Sequence, residues 1–419
     1  VINGKSGIEV GTQKAWDFCE KYDLPRMFFV TNMDDDHASF REVVVKLSEM
    51  YGRRIAPFHI PIRENEKFVG FVNVVKMKGR RFIGNTSDYE ECEIPDYSEK
   101  YLTISRESLI EAVAETSEEY MERYFAGEEF TYEEVSSALR EHVLDGQIVP
   151  VLMGSGLYAQ GPKMLLMAIE KYFPSPDMCS IYGNDTSNGE MVMLNYDCTK
   201  HVSAKVFKTI VDPFIGKYSL IKVVTGVLKA GDTIYNINKD SEDKASKLYV
   251  LRGKEPIEVS ELHAGDIGAL TKIDKLSTGD TIAPKGATVI YNPPEISTPY
   301  TYKSYKGKNK GDDDKIAGAL AKIMEEDLTL KTVNDSENRQ TLLYGIGDQQ
   351  LDIVVSKLLN RYKVEIELSK PKFAFRETIR KKVKVQGKHK KQSGGHGQYG
   401  DVWMEFEPSG DLETPYVFE

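Results

Sequence analysis

The chain is poor in tryptophan and cysteine, with two and four among 419 residues. Cys19, Cys92, Cys179 and Cys198 are widely and unevenly spaced and form no CxxC pair. That spacing argues against a disulfide framework or a zinc site, and for free, reduced thiols. No run approaches the ~18 apolar residues of a membrane span, and residues 1–10 lack the basic start and apolar core of a signal peptide. Positive charge is also short. Lys and Arg total 55 against 65 for Asp and Glu, a net of −10, which excludes a uniformly basic coat for nucleic acid but allows a local patch. His37, His59, His142, His201 and His263 are scattered without ligand spacing, so no metal site and no hydrolase constellation is expected. An initiator Met is missing as well: the chain opens at Val1 inside an ordered pattern and reads as a fragment. What is there, 40% hydrophobic and 29% charged, is the composition of a globular chain. At roughly 100–200 residues per domain it should hold two to four domains.

The pattern along the chain gives the architecture. Residues 14–22 place Trp16, Phe18, Cys19 and Tyr22 at helical spacing; Pro25 stops them, and Met27-Phe28-Phe29-Val30 follows as an unalternating apolar run. A helix, a stop and a fully apolar strand form the unit of a parallel sheet buried on both faces. Thr31-Asn32-Met33-Asp34 ends this strand, and Phe40, Val43, Val44 and Leu47 open another helix. A second apolar strand at 148–153 ends in Gly154-Ser155-Gly156-Leu157, with a helix at 162–172 behind it. Between the two units, 55–94 reads as short strands and turns, 102–125 as one acidic amphipathic helix, and Thr131 with Glu134 as a capping box. Pro174-Ser175-Pro176 looks like a linker. From 201 to 290 alternating runs are punctuated by Gly231-Asp232, Gly265-Asp266 and Gly279-Asp280, turns that ask for positive φ, and a small antiparallel barrel is expected. Residues 297–369 read as βαββαβ, a ferredoxin-like split unit, with helices at 316–324 and 351–362. Lys370-Pro371 opens a further block that runs to Glu419.

Two strand-end loops carry candidate chemistry. A carboxylate at Asp34 accepts hydrogen bonds from two adjacent donors on a purine edge; guanine offers that pair at N1 and N2 and adenine does not. The Ser155-Gly156 turn offers backbone N–H groups to the guanine carbonyl oxygen. The plainer reading of Asp34 is a helix cap. Gly4-Lys5-Ser6 matches the tail of GxxxxGK[ST] but lacks the first Gly and its strand, and reads as a decoy; no complete phosphate loop and no Asp-x-x-Gly in a strand-end context occur. Later, Lys370, Lys372, Arg376, Arg380, Lys381, Lys382, Lys384, Lys388, Lys390 and Lys391 face a single acid, Glu377. Gln392, Ser393, Gly394, Gly395, His396, Gly397, Gln398, Tyr399 and Gly400 follow as a glycine-rich loop in which backbone approaches phosphates and Tyr399 stacks. A solvated strand face and a flexible hairpin are the bland alternatives. Solvation is also the reading for Lys306, Lys308 and Lys310, for the acidic turn 89–93 and for helix 115–122.

These segments together resemble elongation factor G, a translational GTPase. Leu24-Pro25-Arg26 before Phe28-Phe29-Val30 and Val149-Pro150-Val151-Leu152 before Gly154-Ser155 resemble the back of its GTPase domain. Lys205-Val206-Phe207-Lys208-Thr209 through Asp212-Pro213-Phe214-Ile215-Gly216-Lys217 resembles its second domain, and Glu325-Glu326-Asp327 with Gly345-Ile346-Gly347 its third. Arg376-Glu377-Thr378-Ile379 and the stretch from Gln392 to Gly400 resemble its fourth. The resemblance is collinear and implies four parts: 1–176, the C-terminal part of a P-loop GTPase domain with inserts; 177–294, a β-barrel; 295–369, the ferredoxin-like domain; and 370–419, the start of a further α/β domain. It implies GTP or GDP with Mg in the full-length parent, hydrolysis that drives movement of tRNA and mRNA on the ribosome, and contacts with ribosomal RNA and proteins in the decoding region. A cytoplasmic monomer without membrane attachment is expected. The base-side residues become Thr31, Asn32, Asp34, Ser155, Gly156 and Leu157, and the RNA-side residues Lys388, Lys390, Lys391 and Gln392 to Tyr399. With the phosphate loop and magnesium ligands expected upstream, the fragment should bind no nucleotide and hydrolyse none by itself. The family's Asn-Lys-x-Asp is Thr31-Asn32-Met33-Asp34 here, and its Ser-Ala-Leu is Ser155-Gly156-Leu157, so the chain is a divergent relative. Recycling or protection of ribosomes, and ribosome binding with a decayed nucleotide site, are the alternatives.

Overall fold

Apolar runs without alternation settle the first part of the chain. The structure is a computed structural model. It describes residues 1–419 except 213–215, 376, 378, 394, 411–413, 415 and 419, and at 392, 393 and 396 only the backbone. The chain divides into two compact units, Val1–Cys179 and Ser180–Glu419. In the first, strands β1 (Ile2–Asn3), β2 (Phe28–Thr31), β3 (Ile55–Pro57) and β8 (Val149–Met153) form a parallel sheet in the order β1-β2-β8-β3. Phe28 and Val30 pack with Trp16 of helix α1 (Val10–Lys21) and with Phe40, Val43 and Leu47 of helix α2 (Phe40–Tyr51). Phe29 and Leu152 point into the opposite core, formed by helices α3 (Asp96–Ala114), α5 (Tyr132–Leu144) and α6 (Pro162–Tyr172). Period-two alternation thus feeds two helical layers at once, which is why neither strand shows a polar face.

The insert after β3 is a second, antiparallel sheet of β4 (His59–Glu64), β5 (Lys67–Asn73), β6 (Lys78–Phe82) and β7 (Tyr89–Cys92). The acidic segment 89–93, expected as a turn, is therefore mostly an edge strand, and Glu91 pairs with Lys78 at 2.9 Å. The helix expected over 102–125 is two: α3 ends at Ala114, and α4 (Glu118–Phe125) starts afresh because the Ser117 hydroxyl accepts the Tyr120 N–H at 3.1 Å. The capping box of α5 is formed, with Glu134 Oε2 accepting the Thr131 N–H at 2.8 Å and Thr131 Oγ1 accepting the Glu134 N–H at 3.3 Å.

In the second unit an eight-stranded antiparallel sheet, centred on Ser203–Asp212 and Gly216–Thr225, curls round one apolar cluster that includes Val206, Ile221, Leu248, Leu270 and Ile282. The three Gly-Asp turns are alike. Gly231, Gly265 and Gly279 have φ of 92°, 97° and 97°. The aspartate that follows each accepts a backbone N–H three residues back, from Lys229, His263 and Ser277, at 2.8 Å in every case. A three-stranded sheet of Ser180–Asp185, Met191–Asn195 and Val289–Tyr291 was not expected. Beyond it, strand Thr301–Gly307, helix Asp313–Glu326, strands Lys331–Asp335 and Gln340–Gly345, helix Asp348–Tyr362 and strand Ile366–Ser369 form an antiparallel sheet in the order second-third-first-fourth, with both helices packed on Leu343 and Ile366. Lys306 lies inside the first of these strands and Lys308 pairs with Glu365 at 2.9 Å, so two of the three lysines read as loop solvation are structural. Glu326, at the end of its helix, accepts the Val211 N–H at 2.9 Å and pairs with Lys357 and Arg361 at 3.4 and 3.1 Å. An antiparallel ribbon, Val383–Ser393 with His396–Phe406, follows.

Candidate functional site

The two loops read as a purine site stand side by side because their strands do. β2 and β8 are hydrogen-bonded neighbours. The Gly154 N–H donates to Val30 O at 2.9 Å and the Met33 N–H to Gly154 O at 3.2 Å, so each loop starts from the other's backbone. Gly154 has no alternative here: a Cβ would lie 2.3 Å from Gln160 O and 2.7 Å from Phe29 Cζ. Asn32 takes the left-handed conformation, φ 59°, and is exposed, while Met33 is fully buried. This in-and-out alternation turns Asp34 back toward the loop. Arg63, from β4, braces it by donating through Nη2 to Met33 O and Ala38 O, both at 3.0 Å.

Asp34 is half-buried, and its Oδ1 is closed to solvent and has no hydrogen-bond partner. It is not a helix cap; Ser39 caps α2 by accepting the Glu42 N–H at 3.3 Å. An anionic acceptor left in that condition is costly unless a donor arrives. Ser155 is fully buried, its N–H is spent on Gln160 O at 2.7 Å and its Oγ accepts from the Tyr158 N–H at 3.3 Å. It therefore lacks the free backbone donor expected of it. The neighbouring N–H groups of Gly156 and Leu157, both exposed, have no partner among the described residues. Thr31 faces them, 4.0 Å from where a Gly156 Cβ would stand. One carboxylate acceptor and two backbone donors at adjoining strand ends can read a base edge.

The remaining charge nearby is neutralised locally. Asn3 Oδ1 accepts the Lys5 N–H at 2.8 Å and the Ser6 N–H at 3.3 Å, so the Gly4-Lys5-Ser6 turn is closed on itself. Lys5 Nζ lies 3.3 Å from Asp35. The His37 N–H bonded to Asp35, and then Lys5, hold that carboxyl below the usual carboxylate range. Among the described residues no three His, Cys, Asp or Glu side chains converge on a metal position.

The second candidate surface is the ribbon, and pairing sorts its residues onto two faces. Lys388 opposite Asp401, Lys390 opposite Tyr399 and Gln386 opposite Trp403 share one face. Lys391 opposite Gln398 belongs to the other, with Val383, Val385, Val402, Met404 and Phe406. The set expected to act together is thus divided. The expected loop is also shorter than read: Gly395 alone is a described turn residue, and Gly397, Gln398, Tyr399 and Gly400 lie within a strand. Gly394 and the side chains of Gln392, Ser393 and His396 lie outside the described residues, as do Pro213, Phe214, Ile215, Arg376 and Thr378. Lys388 Nζ stands 5.5 Å over the Tyr399 ring and 3.8 Å from Asp401, which also accepts from Gln386 and Tyr399. Lys390 and Lys391 pair with no acid among the described residues. Trp403, 63% exposed beside Tyr399's face, adds a second stacking surface that the glycine pattern had hidden.

Comparison with known proteins bears on both regions. Residues 1–175 match the elongation factor Tu GTP binding domain, 201–284 elongation factor G domain 2, 296–370 elongation factor G domain III and 371–419 elongation factor G domain IV. The chain belongs to the elongation factor G-like translational GTPases. Among solved structures, the crystal structure of a Thermus thermophilus protein titled only "ttk003000868" is 33% identical, with a TM-score of 0.79 over 97% of this chain. The chain spans 58% of the length of that structure's chain. In this family member the positioning residues Arg63, Gly154 and Gly161 were not picked out from sequence. Gly161, φ 109° and directly before Pro162, carried the available signal, since a Cβ there would lie 2.8 Å from Gly154 Cα.

Proposed function

We propose that residues 1–419 supply the base-reading end of a guanine-nucleotide site and the ribosome-facing parts of a GTPase that moves tRNA and mRNA during protein synthesis. One observation carries the nucleotide reading: Asp34 Oδ1 is a buried, partnerless acceptor beside the free Gly156 and Leu157 donors. Asp34 would take the guanine N1–H and N2–H, Gly156 and Leu157 its carbonyl oxygen, and Thr31 and Asn32 would border the base. The residues present fit the base. They do not fit its phosphates or Mg, because the Lys5-Ser6 turn is closed by Asn3, so no step of hydrolysis is assigned to them. GTP with Mg, when bound to the full-length parent, supplies the cleavable anhydride. The free Lys390 and Lys391, with Tyr399 and Trp403, favour contact with ribosomal RNA, made by a cytoplasmic monomer. No described helix is long and apolar enough to cross a membrane.

Asp34→Asn tests the reading in the longest available chain of this protein. Calorimetry should show GDP affinity falling by about 10–100-fold, the worth of hydrogen bonds to a charged acceptor. Xanthosine diphosphate should gain, because an amide donates where xanthine presents a carbonyl. Equal affinity of the unaltered protein for GDP and ADP overturns the role of Asp34. That result would favour the second reading, a ribosome-binding factor whose nucleotide site has decayed; the exposed Asn32, in place of a lysine stem able to cover the base, is what supports it.

A further inference from the structure

A cleft of about 410 Å³ opens where the insert sheet meets α3 and α5, and none of the strand-end residues lines it. Its wall carries Lys76, Lys78, Arg80, Arg106, Glu91 and Tyr132. Four cations therefore face one acid, and that acid is engaged: both Glu91 oxygens accept from Lys78, at 2.9 and 3.0 Å. Arg106 is fixed in the floor, its Nη1 donating to Val74 O and Val75 O at 3.2 and 3.1 Å. The Tyr132 hydroxyl accepts from Lys171 at 2.9 Å, and Lys76 stands 5.5 Å from its ring.

Arg80 is the odd member. It is 8% exposed, its Nε is closed to solvent without a partner, and it makes no hydrogen bond or ion pair with any described residue. The Tyr89 ring, 4.4 Å from its guanidinium carbon, gives it only a face. Glu91 lies opposite it in strand register and turns to Lys78 instead. His59, the other titratable group near it, brings no negative charge; burial first and Arg80 second press its pKa to about 3. A guanidinium stays charged under all these conditions, and its removal from water goes uncompensated inside the chain.

We infer that this cleft binds a small phosphorylated ligand, whose phosphoryl oxygens take the Arg80 fork while Lys76, Lys78 and Arg106 surround the charge. A planar fork with parallel N–H groups matches two oxygens of a phosphoryl group. The excess of positive groups suits a dianion better than a single carboxylate. The volume falls in the range of about 300–1,000 Å³ of small-molecule sites.

Inorganic pyrophosphate, titrated calorimetrically into the whole chain at low salt without sulfate, is the probe. Saturable binding is expected in the unaltered protein. Arg80→Met should weaken it about 30-fold or more, the loss of a charge-assisted bidentate contact. Lys76 is exposed, so Lys76→Met should fold normally and weaken binding several-fold. Glu91→Gln removes the one acid and releases Lys78, and should tighten binding. If Arg80→Met fails to fold, the opposite shifts of Lys76→Met and Glu91→Gln still decide the matter. Absence of binding at 10 mM (about the weakest contact calorimetry reads), indifference to Lys76→Met, or weakening by Glu91→Gln overturns the inference. So does displacement of pyrophosphate by a short single-stranded RNA that binds more tightly through the same residues, since the site would then belong to a polymer backbone.

Discussion

His59 is 4% exposed, has an unpartnered Nδ1 and lies with its ring centroid 4.4 Å from that of Phe71. Its folded pKa of about 3 lies below the ordinary 6.5, because burial and Arg80 oppose the cation. The unfolded chain therefore takes up a proton between about pH 6.5 and 3 that the folded chain refuses, and stability falls with pH through that window. The slope from this one group approaches about 1.4 kcal/mol per pH unit, so about 2 kcal/mol is lost between pH 6.5 and 5. Above pH 7 the group contributes no dependence. Urea unfolding at pH 7 and 5 should show this loss, and His59→Gln should remove it from the difference; an unaltered pH dependence in the variant means that another group is responsible.

Arg63 connects two elements that sequence reading kept apart, a strand of the insert and the loop after β2. Both of its carbonyl contacts are partly buried, at 3.0 Å. Arg63→Met leaves Met33 O and Ala38 O without that donor and should cost about 1–3 kcal/mol in urea unfolding. The freed loop should also bind GDP several-fold more weakly. Unchanged affinity at lowered stability would confine Arg63 to the fold. Legibility differed among elements for physical reasons. β2, β8 and α6 were readable because apolar runs and Pro162 at a helix start are local signals. The Thr131–Glu134 cap was readable for the same reason. The break before Ser117 was missed because the acidic, amphipathic pattern continues across it while one hydroxyl restarts the helix. Strands Ser180–Asp185 and Met191–Asn195 were missed because their sheet is completed only by Val289–Tyr291, far along the chain. In the candidate site Asp34 was chosen from chemistry alone, whereas the loss of the Ser155 donor depends on Gln160, five residues on, folding back upon it.

At the scale of the molecule, charge is distributed against the average. A chain of net −10 presents Lys390 and Lys391 unneutralised on opposite faces of a ribbon. If RNA lies against one face, reversing Lys390 and reversing Lys391 will have unequal effects. Lys390→Glu, beside Tyr399, should flatten the dependence of ribosome binding on log salt by about 0.7–0.9 for each phosphate it ceases to neutralise. Lys391→Glu should do so less. Equal effects, or none in sedimentation at graded salt, remove the ribbon from the RNA-binding surface. Within the first unit, the purine loop is tied to the insert from the other side too. Gln160 donates to Gly84 O at 3.1 Å, Ser87 donates to Ala159 O, and Lys163 holds Asp88 at 2.6 Å. The turn between β6 and β7 is thereby clasped to the chain that follows Ser155. An occupant that reshapes this turn must pull on a hairpin whose first strand also bears Arg80, so what happens at one pocket is felt as tension at the mouth of the other.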